Sequence, residues 1–186
     1  MRAIFIRHGE STANTGLASA DVASIALTER GAGQAGRLAR EWSQAPSLIV
    51  TSPFQRTRQT AAPTIARFPG VPVETWDIAE FTYLQPARWN GTAAADRRPH
   101  VERYWTAADP TYCDGEGAES FAGFLRRVEA SLARLAALPA GSLTAKRMPC
   151  VASASLGSAT TPDHAELSAN VVLGGAPTPK VLDTAL

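Results

Sequence analysis

The sequence predicts an α/β fold in which a mostly parallel sheet is flanked by helices in three layers. Three observations carry that reading. Short apolar runs of strand character occur at 2–6, 47–50 and 71–74. Segments with apolar residues at three- and four-residue steps lie between and after them, and Gly, Pro and small polar residues mark the joins. Strands that alternate with helices pair in parallel, because each crossover helix returns the chain to the same end of the sheet.

The elements follow in order. Residues 2–6, ending in Ile4-Phe5-Ile6, form a first strand that runs into Arg7-His8-Gly9-Glu10-Ser11 and a small-residue loop with Gly16. Leu27-Thr28-Glu29-Arg30-Gly31 then leads into a helix with one apolar face at Ala35, Leu38, Ala39 and Trp42, for which Thr28 is the expected N-cap. Ser47-Leu48-Ile49-Val50 reads as a buried strand. Ser52-Pro53 opens a helix from Phe54 to Phe68, which Pro63 should kink or interrupt by removing a backbone donor. Val71-Pro72-Val73-Glu74 is a short strand, with Pro72 tolerated near an edge or a strand start. Residues 84–116, rich in Gly, Pro and aromatics, read as a long excursion over the working edge of the sheet. The clearest helix runs from Glu119 to Leu138, with Phe121, Phe124, Leu125, Val128, Leu132 and Leu135 on a face expected to pack on the sheet.

Bulk properties narrow the function. A chain of 186 residues is long enough for one domain with a sizeable core, and a single domain over 1–186 is expected. A formal net charge of +1 with interspersed signs offers no basic face for nucleic acid and no polybasic segment for a membrane surface. Cys113 and Cys150 stand far apart without metal-ligand spacing, so two reduced thiols are expected and no zinc site. No stretch reaches the ~20 apolar residues that span a bilayer, and the N-terminal apolar run is too short for a signal-peptide core. The expectation is a cytoplasmic protein that acts on a small molecule.

Chemistry-bearing residues gather at strand ends. Open α/β sheets bind ligands just beyond the carboxyl ends of their strands, and Arg7 and His8 sit at the end of the first. Thr51-Ser52-Pro53-Phe54-Gln55-Arg56 follows the second strand in the same way, with Arg56 near a helix start. Helix N-termini favour anions, and a guanidinium grips two phosphate oxygens with its planar fork. Two such places on neighbouring strands would make a phosphate pocket.

On these motifs the chain resembles the histidine phosphatase superfamily, which includes the cofactor-dependent phosphoglycerate mutases. The resemblance rests on Arg7-His8-Gly9-Glu10-Ser11 with Asn14, on Leu27-Thr28-Glu29-x-Gly31-x-x-Gln34-Ala35, on Ser52-Pro53-x-x-Arg56-x-x-x-Thr60-Ala61, on Glu80-Phe81 and on Gly117-x-Glu119-Ser120, within about residues 1 to 140. It implies a phosphoglycerate mutase-like fold in which His8 attacks phosphorus. Arg7 and Arg56 would hold the phosphoryl oxygens, Asn14 would add a contact, and Glu80 would protonate the departing oxygen. The chemistry agrees: neighbouring guanidinium charges keep an imidazole neutral and offset charge on the equatorial oxygens of an in-line transition state. Asp77 and Glu74 compete with Glu80 for the acid role. The mechanism calls for no metal and no cofactor.

Other charges read as solvent-facing. Arg58 is a solvated helix position, and Arg97-Arg98-Pro99-His100 is an exposed cluster on the excursion, whose aromatics serve packing. The family's second active-site histidine, in a late apolar strand running into His-Gly, has no match. The stretch 143–160 has no clear apolar strand, and His164 lacks the strand before it and the glycine after it. The tail 148–186 is dominated by Ala, Ser, Thr, Pro and Gly. A shifted reading frame near residue 145, natural divergence with Ala154 or another residue in place of the histidine, and an unusual use of His164 all fit. Loss of that strand would uncover apolar surface of the last helix. Loss of the cation would remove about 3–4 kcal/mol of transition-state stabilisation. The expected function is therefore a phosphomonoester hydrolase working through a phosphohistidine on His8, weakened by its tail. The alternative is a catalytically silent phospho-ligand-binding module. The phosphomonoester and the oligomeric state are not set by the sequence.

Overall fold

The structure, a computed structural model, describes residues 3–15, 21–138 and 169–174. The loop at Gly16, the stretch 143–160 with Cys150 and Ala154, and His164 lie outside the described residues. Strand β1 (Ala3–Arg7) is followed by a 3-10 turn at Thr12–Thr15, helix α1 (Glu29–Glu41), β2 (Pro46–Thr51), α2 (Gln55–Arg67) and β3 (Val73–Thr75). Then come α3 (Pro86–Trp89), α4 (Ala94–Ala107), α5 (Phe121–Ala136) and β4 (Ala169–Gly174).

The strands form one sheet in the order β1-β4-β2-β3. β2 and β3 pair in parallel, with Ile49 opposite Val73. β4 runs antiparallel to both neighbours, with Phe5 opposite Val171 on one side and Val50 opposite Val171 on the other. β1, β2 and β3 therefore point the same way, and their carboxyl ends at Arg7, Thr51 and Thr75 share one edge.

Alternation along the strands builds the three layers. Ala3, Leu48 and Val50 pack with Trp76 on one face, joined by Leu135 and Leu138 from the end of α5 and just beyond. Ile4 and Ile49 pack on the other face with Trp42 and Ala61, joined by Ile65 and Phe68. Ile49 and Val50 are fully buried, each contributing about 1.5–3 kcal/mol of apolar transfer free energy. Thr28 caps α1 as expected, its hydroxyl accepting from Gly31 N at 3.1 Å. Pro72 precedes β3, where its carbonyl accepts from Ile49 N and its missing N–H costs no ladder bond.

Four expectations change. A late strand exists: β4 fills the place between β1 and β2, so neither is an open edge there, and its sequence signal is the short run Val171-Val172-Leu173 within small residues. Helix α2 runs on through Pro63, held in place by buried Thr60, Ala61 and Thr64 on either side of it. The excursion contains two helices; Ala93 N–H donates to Asp96 Oδ2 at the start of α4, which also continues through Pro99. Finally, α5 does not bury a whole face. Leu125 and Leu132 are 42% and 49% exposed, and the helix is anchored by its two ends.

Candidate active site

The loop after β1 is built to a narrow tolerance. Thr28 N–H donates to Glu10 O and Thr12 N–H to Ala26 O, so residues 10–12 are strapped to the entry of α1. Thr28 Oγ1 also donates to Glu10 Oε1 at 2.8 Å, and Gln34 Oε1 accepts from Glu10 N. The two segments approach so closely that a Cβ on Gly31 would stand 2.0 Å from Glu10 O, and one on Gly9 2.6 Å from Gly31 O. Only glycine fits at either position. The glycines at 9 and 31 in the two sequence motifs are thus two sides of one contact.

His8 is buried at 5% exposure just past the end of β1. Its Nδ1 lies 2.7 Å from Gly9 O. A carbonyl only accepts, so Nδ1 carries a proton, and in the neutral ring the lone pair then lies on Nε2. Gly9 N–H donates to Thr60 Oγ1 at 3.1 Å, and Thr60 Oγ1 donates to Arg56 O at 2.7 Å. One hydroxyl therefore ties the His8 loop to the first turn of α2.

Arg56 is held on every side. Its side chain is 3% exposed, Nη1 donates to Val22 O at 2.7 Å, Nη2 lies 2.5 Å from Glu80 Oε2, and the guanidinium packs over the Phe54 ring at 4.6 Å. Ser52 and Thr57 hydroxyls bond each other at 2.8 Å and fix the turn from β2 into α2. Of the three acids considered, Glu80 alone faces this arginine. Asp77 is exposed, and Glu74 accepts from Trp76 Nε1 and Arg134 Nη2.

A cavity of about 350 Å³ opens beside the pair. Ser11, Arg56, Glu80 and Arg97 are among its polar lining residues, and Phe81, Tyr83, Trp89, Trp105, Phe121 and Phe124 form most of its apolar wall. The rings of Phe81, Tyr83, Tyr104 and Trp105 stack edge to face or tilted at centroid distances of 4.9–6.4 Å. Burial among them raises the Tyr104 hydroxyl pKa above its usual value. Asp114, its side chain 3% exposed, ties this wall together by accepting from Gln85 N, Trp89 Nε1 and Tyr112 OH, with His100 Nε2 at 3.9 Å. Burial pushes the Asp114 carboxyl up, but those donors and the nearby imidazole together hold it below the usual carboxylate range.

The predicted residues are thus partly assembled. Arg56 and Glu80 meet at the cavity; His8 does not line it, though Ser11 of the same loop does. Arg7 and Asn14 are exposed, and Asn14 Oδ1 accepts from both Ser11 N and Ser11 Oγ. Arg58 is exposed as expected, whereas Arg97 turns inward to the cavity, its Nη1 donating to Thr92 O at 2.7 Å. Trp89 and Trp105 line the cavity as well as pack. Among the described residues no group of three or more His, Cys, Asp or Glu could hold a metal ion, and no helix is long and apolar enough to cross a membrane.

Comparison with known proteins identifies the family and the fold. Residues 3–145 match the histidine phosphatase superfamily (branch 1). A 5''-phosphoribostamycin phosphatase from Niallia circulans is 41% identical over 117 residues, 55% of each chain, so this chain matches about half the length of that curated relative. Among solved structures, the alpha-ribazole phosphatase from Shigella flexneri is 26% identical with a TM-score of 0.57, covering 72% of this chain and 67% of its own. A mycobacterial glucosyl-3-phosphoglycerate phosphatase in complex with VO3 is 27% identical with a TM-score of 0.57, covering 74% and 66%.

Proposed function

The chain belongs to branch 1 of the histidine phosphatase superfamily, and on that footing we propose that it hydrolyses phosphomonoesters through a phosphohistidine on His8. The observation that carries the reading is the Nδ1 contact with Gly9 O, which leaves the lone pair on Nε2 of a buried imidazole beside the strand ends. Nε2 attacks phosphorus, the P–O ester bond breaks, and the departing oxygen takes a proton from Glu80. Water then attacks the phosphohistidine and gives Glu80 its proton, and inorganic phosphate leaves with His8 restored.

Arg56 supplies the planar fork for the phosphoryl oxygens, and Arg7 adds a second guanidinium at the end of β1. Asn14, whose oxygen accepts from Ser11, adds a contact. Because Glu80 holds Arg56, an incoming phosphoryl group must exchange with Glu80 at the guanidinium. That exchange releases the carboxyl beside the bond to be broken.

Relatives named for phosphoribostamycin and alpha-ribazole support a small phosphorylated substrate. The aromatic wall favours an ester whose alcohol carries rings or broad apolar faces. The test compares 4-nitrophenyl phosphate turnover by the wild-type chain and by His8→Ala. Turnover that His8→Ala abolishes is expected. Turnover retained by His8→Ala contradicts the reading, and phosphate binding without any wild-type turnover makes the chain a binding module instead.

A further inference from the structure

We propose that Arg127 on α5, with Glu119 as its anchor, is a positioning residue for Glu80. The inference rests on Glu80 being the proton donor. Residues 77–83, which carry Glu80, form no helix or strand, so no ladder fixes their backbone. Arg127 takes that role. Its Nη1 donates to Ala79 O at 2.7 Å and Asp77 O at 3.3 Å, and its Nη2 donates to Glu80 O at 3.2 Å.

The guanidinium is itself fixed. Nε donates to Glu119 Oε2 at 2.8 Å and Nη2 to Glu119 Oε1, while its plane lies over the Phe124 ring at 4.8 Å. Its side chain is 15% exposed. Glu119 also reaches the same segment directly, its N–H donating to Thr82 O at 2.8 Å and its Oε1 accepting from Thr82 N. Glu80 is thus gripped at both ends, the backbone carbonyl by Arg127 and the carboxylate by Arg56.

A lysine cannot reproduce this arrangement. Its ammonium is a point charge with three donors, whereas the guanidinium spreads five across a rigid plane that faces three carbonyls and one carboxylate together. A shift of the segment by about 1 Å would leave Glu80 folded into place but misaligned with the departing oxygen, which costs roughly a hundredfold in rate. Such a loss depends on how much the leaving group needs a proton. An alkoxide needs it, and 4-nitrophenolate hardly does.

The experiment compares kcat/KM, which reports only the steps up to departure of the alcohol and so excludes the later base role of Glu80, on β-glycerol phosphate and on 4-nitrophenyl phosphate for the wild type, Arg127→Lys, Glu119→Gln and Glu80→Gln. Glu119→Gln keeps the shape and an acceptor for Thr82, so it tests the clamp even if Arg127→Lys folds poorly. Expected is a roughly tenfold or greater loss on the alkyl ester, with the aryl ester within about threefold of wild type, for both clamp variants. Adding Arg127→Lys to Glu80→Gln should cost nothing further on the alkyl ester. Equal losses on the two esters, or none, with Glu80→Gln still selective, overturn the clamp alone. Equal losses on both esters for Glu80→Gln itself overturn the proton-donor reading and the clamp with it.

Discussion

Arg56 Nη2 and Glu80 Oε2 stand 2.5 Å apart, joining the first turn of α2 to the segment that follows β3. If phosphate and Glu80 compete for that guanidinium, removing the carboxylate charge has opposite effects on binding and on turnover. Glu80→Gln should bind inorganic phosphate roughly tenfold more tightly, the scale of one hydrogen bond to a charged group. Its kcat on an alkyl phosphomonoester should fall about 10²-fold or more. Product-inhibition constants measured beside kcat check both signs. Weaker phosphate binding in Glu80→Gln would mean that the carboxylate does not compete.

The contact between the His8 loop and α1 predicts a contrast within one helix. Gly31→Ala drives a methyl into Glu10 O and should cost about 1–3 kcal/mol or more, with a lowered Tm. Gly33→Ala meets nothing within 4 Å at an exposed helical position and should stabilise by about 0.5–1 kcal/mol. Thermal melts of the two variants decide it, and equal shifts would contradict the close approach.

That contact also explains what could be read from the sequence. The strand-end position of His8, the Thr28 cap and the placing of Arg56 at a helix start are local signals, fixed by residues within a few positions of each other. The glycine pair could be seen only as two separate motifs, because a backbone contact between residues 9 and 31 leaves no mark except the missing side chains. Arg127 was invisible for a similar reason. On α5 it occupies a polar position like Arg126, and its carbonyl partners lie 47 to 50 residues earlier. β4 leaves little trace in the sequence, because three apolar residues in a run of small ones give little periodicity and its place in the sheet is decided by β1 and β2 on either side. A charge cluster beside Pro99 resembles an exposed loop in the sequence, whereas α4 turns the Arg97 side chain to the cavity.

Asp114 should make the cavity wall sensitive to acid. Its folded pKa lies below the unfolded value, so its contribution to stability is fully present above about pH 4 and is lost as pH falls through the folded value. As pH falls below about 4, wild type should therefore lose more stability than Asp114→Asn, which has no charge to lose. Urea unfolding followed by tryptophan fluorescence, to which Trp89 contributes, measures the difference. Parallel pH dependence in the two proteins would remove Asp114 as the cause.

The aromatic wall should matter to ring-bearing esters and little to small ones. Trp105→Ala is expected to raise KM for 1-naphthyl phosphate by a few-fold to roughly tenfold while leaving that for β-glycerol phosphate nearly unchanged. Equal changes for both esters would separate the cavity from the alcohol group.

The central claim is that His8 carries the phosphoryl group in turnover. Rapid quenching of the wild-type chain with a radiolabelled phosphomonoester, followed by alkaline digestion and peptide mapping, should place an acid-labile, alkali-stable label on the peptide containing His8. Glu80→Gln should raise the trapped amount if removing its base role slows hydrolysis of the intermediate more than its formation, and His8→Ala should trap none. Turnover with no label on that peptide, or label retained by His8→Ala, would contradict it.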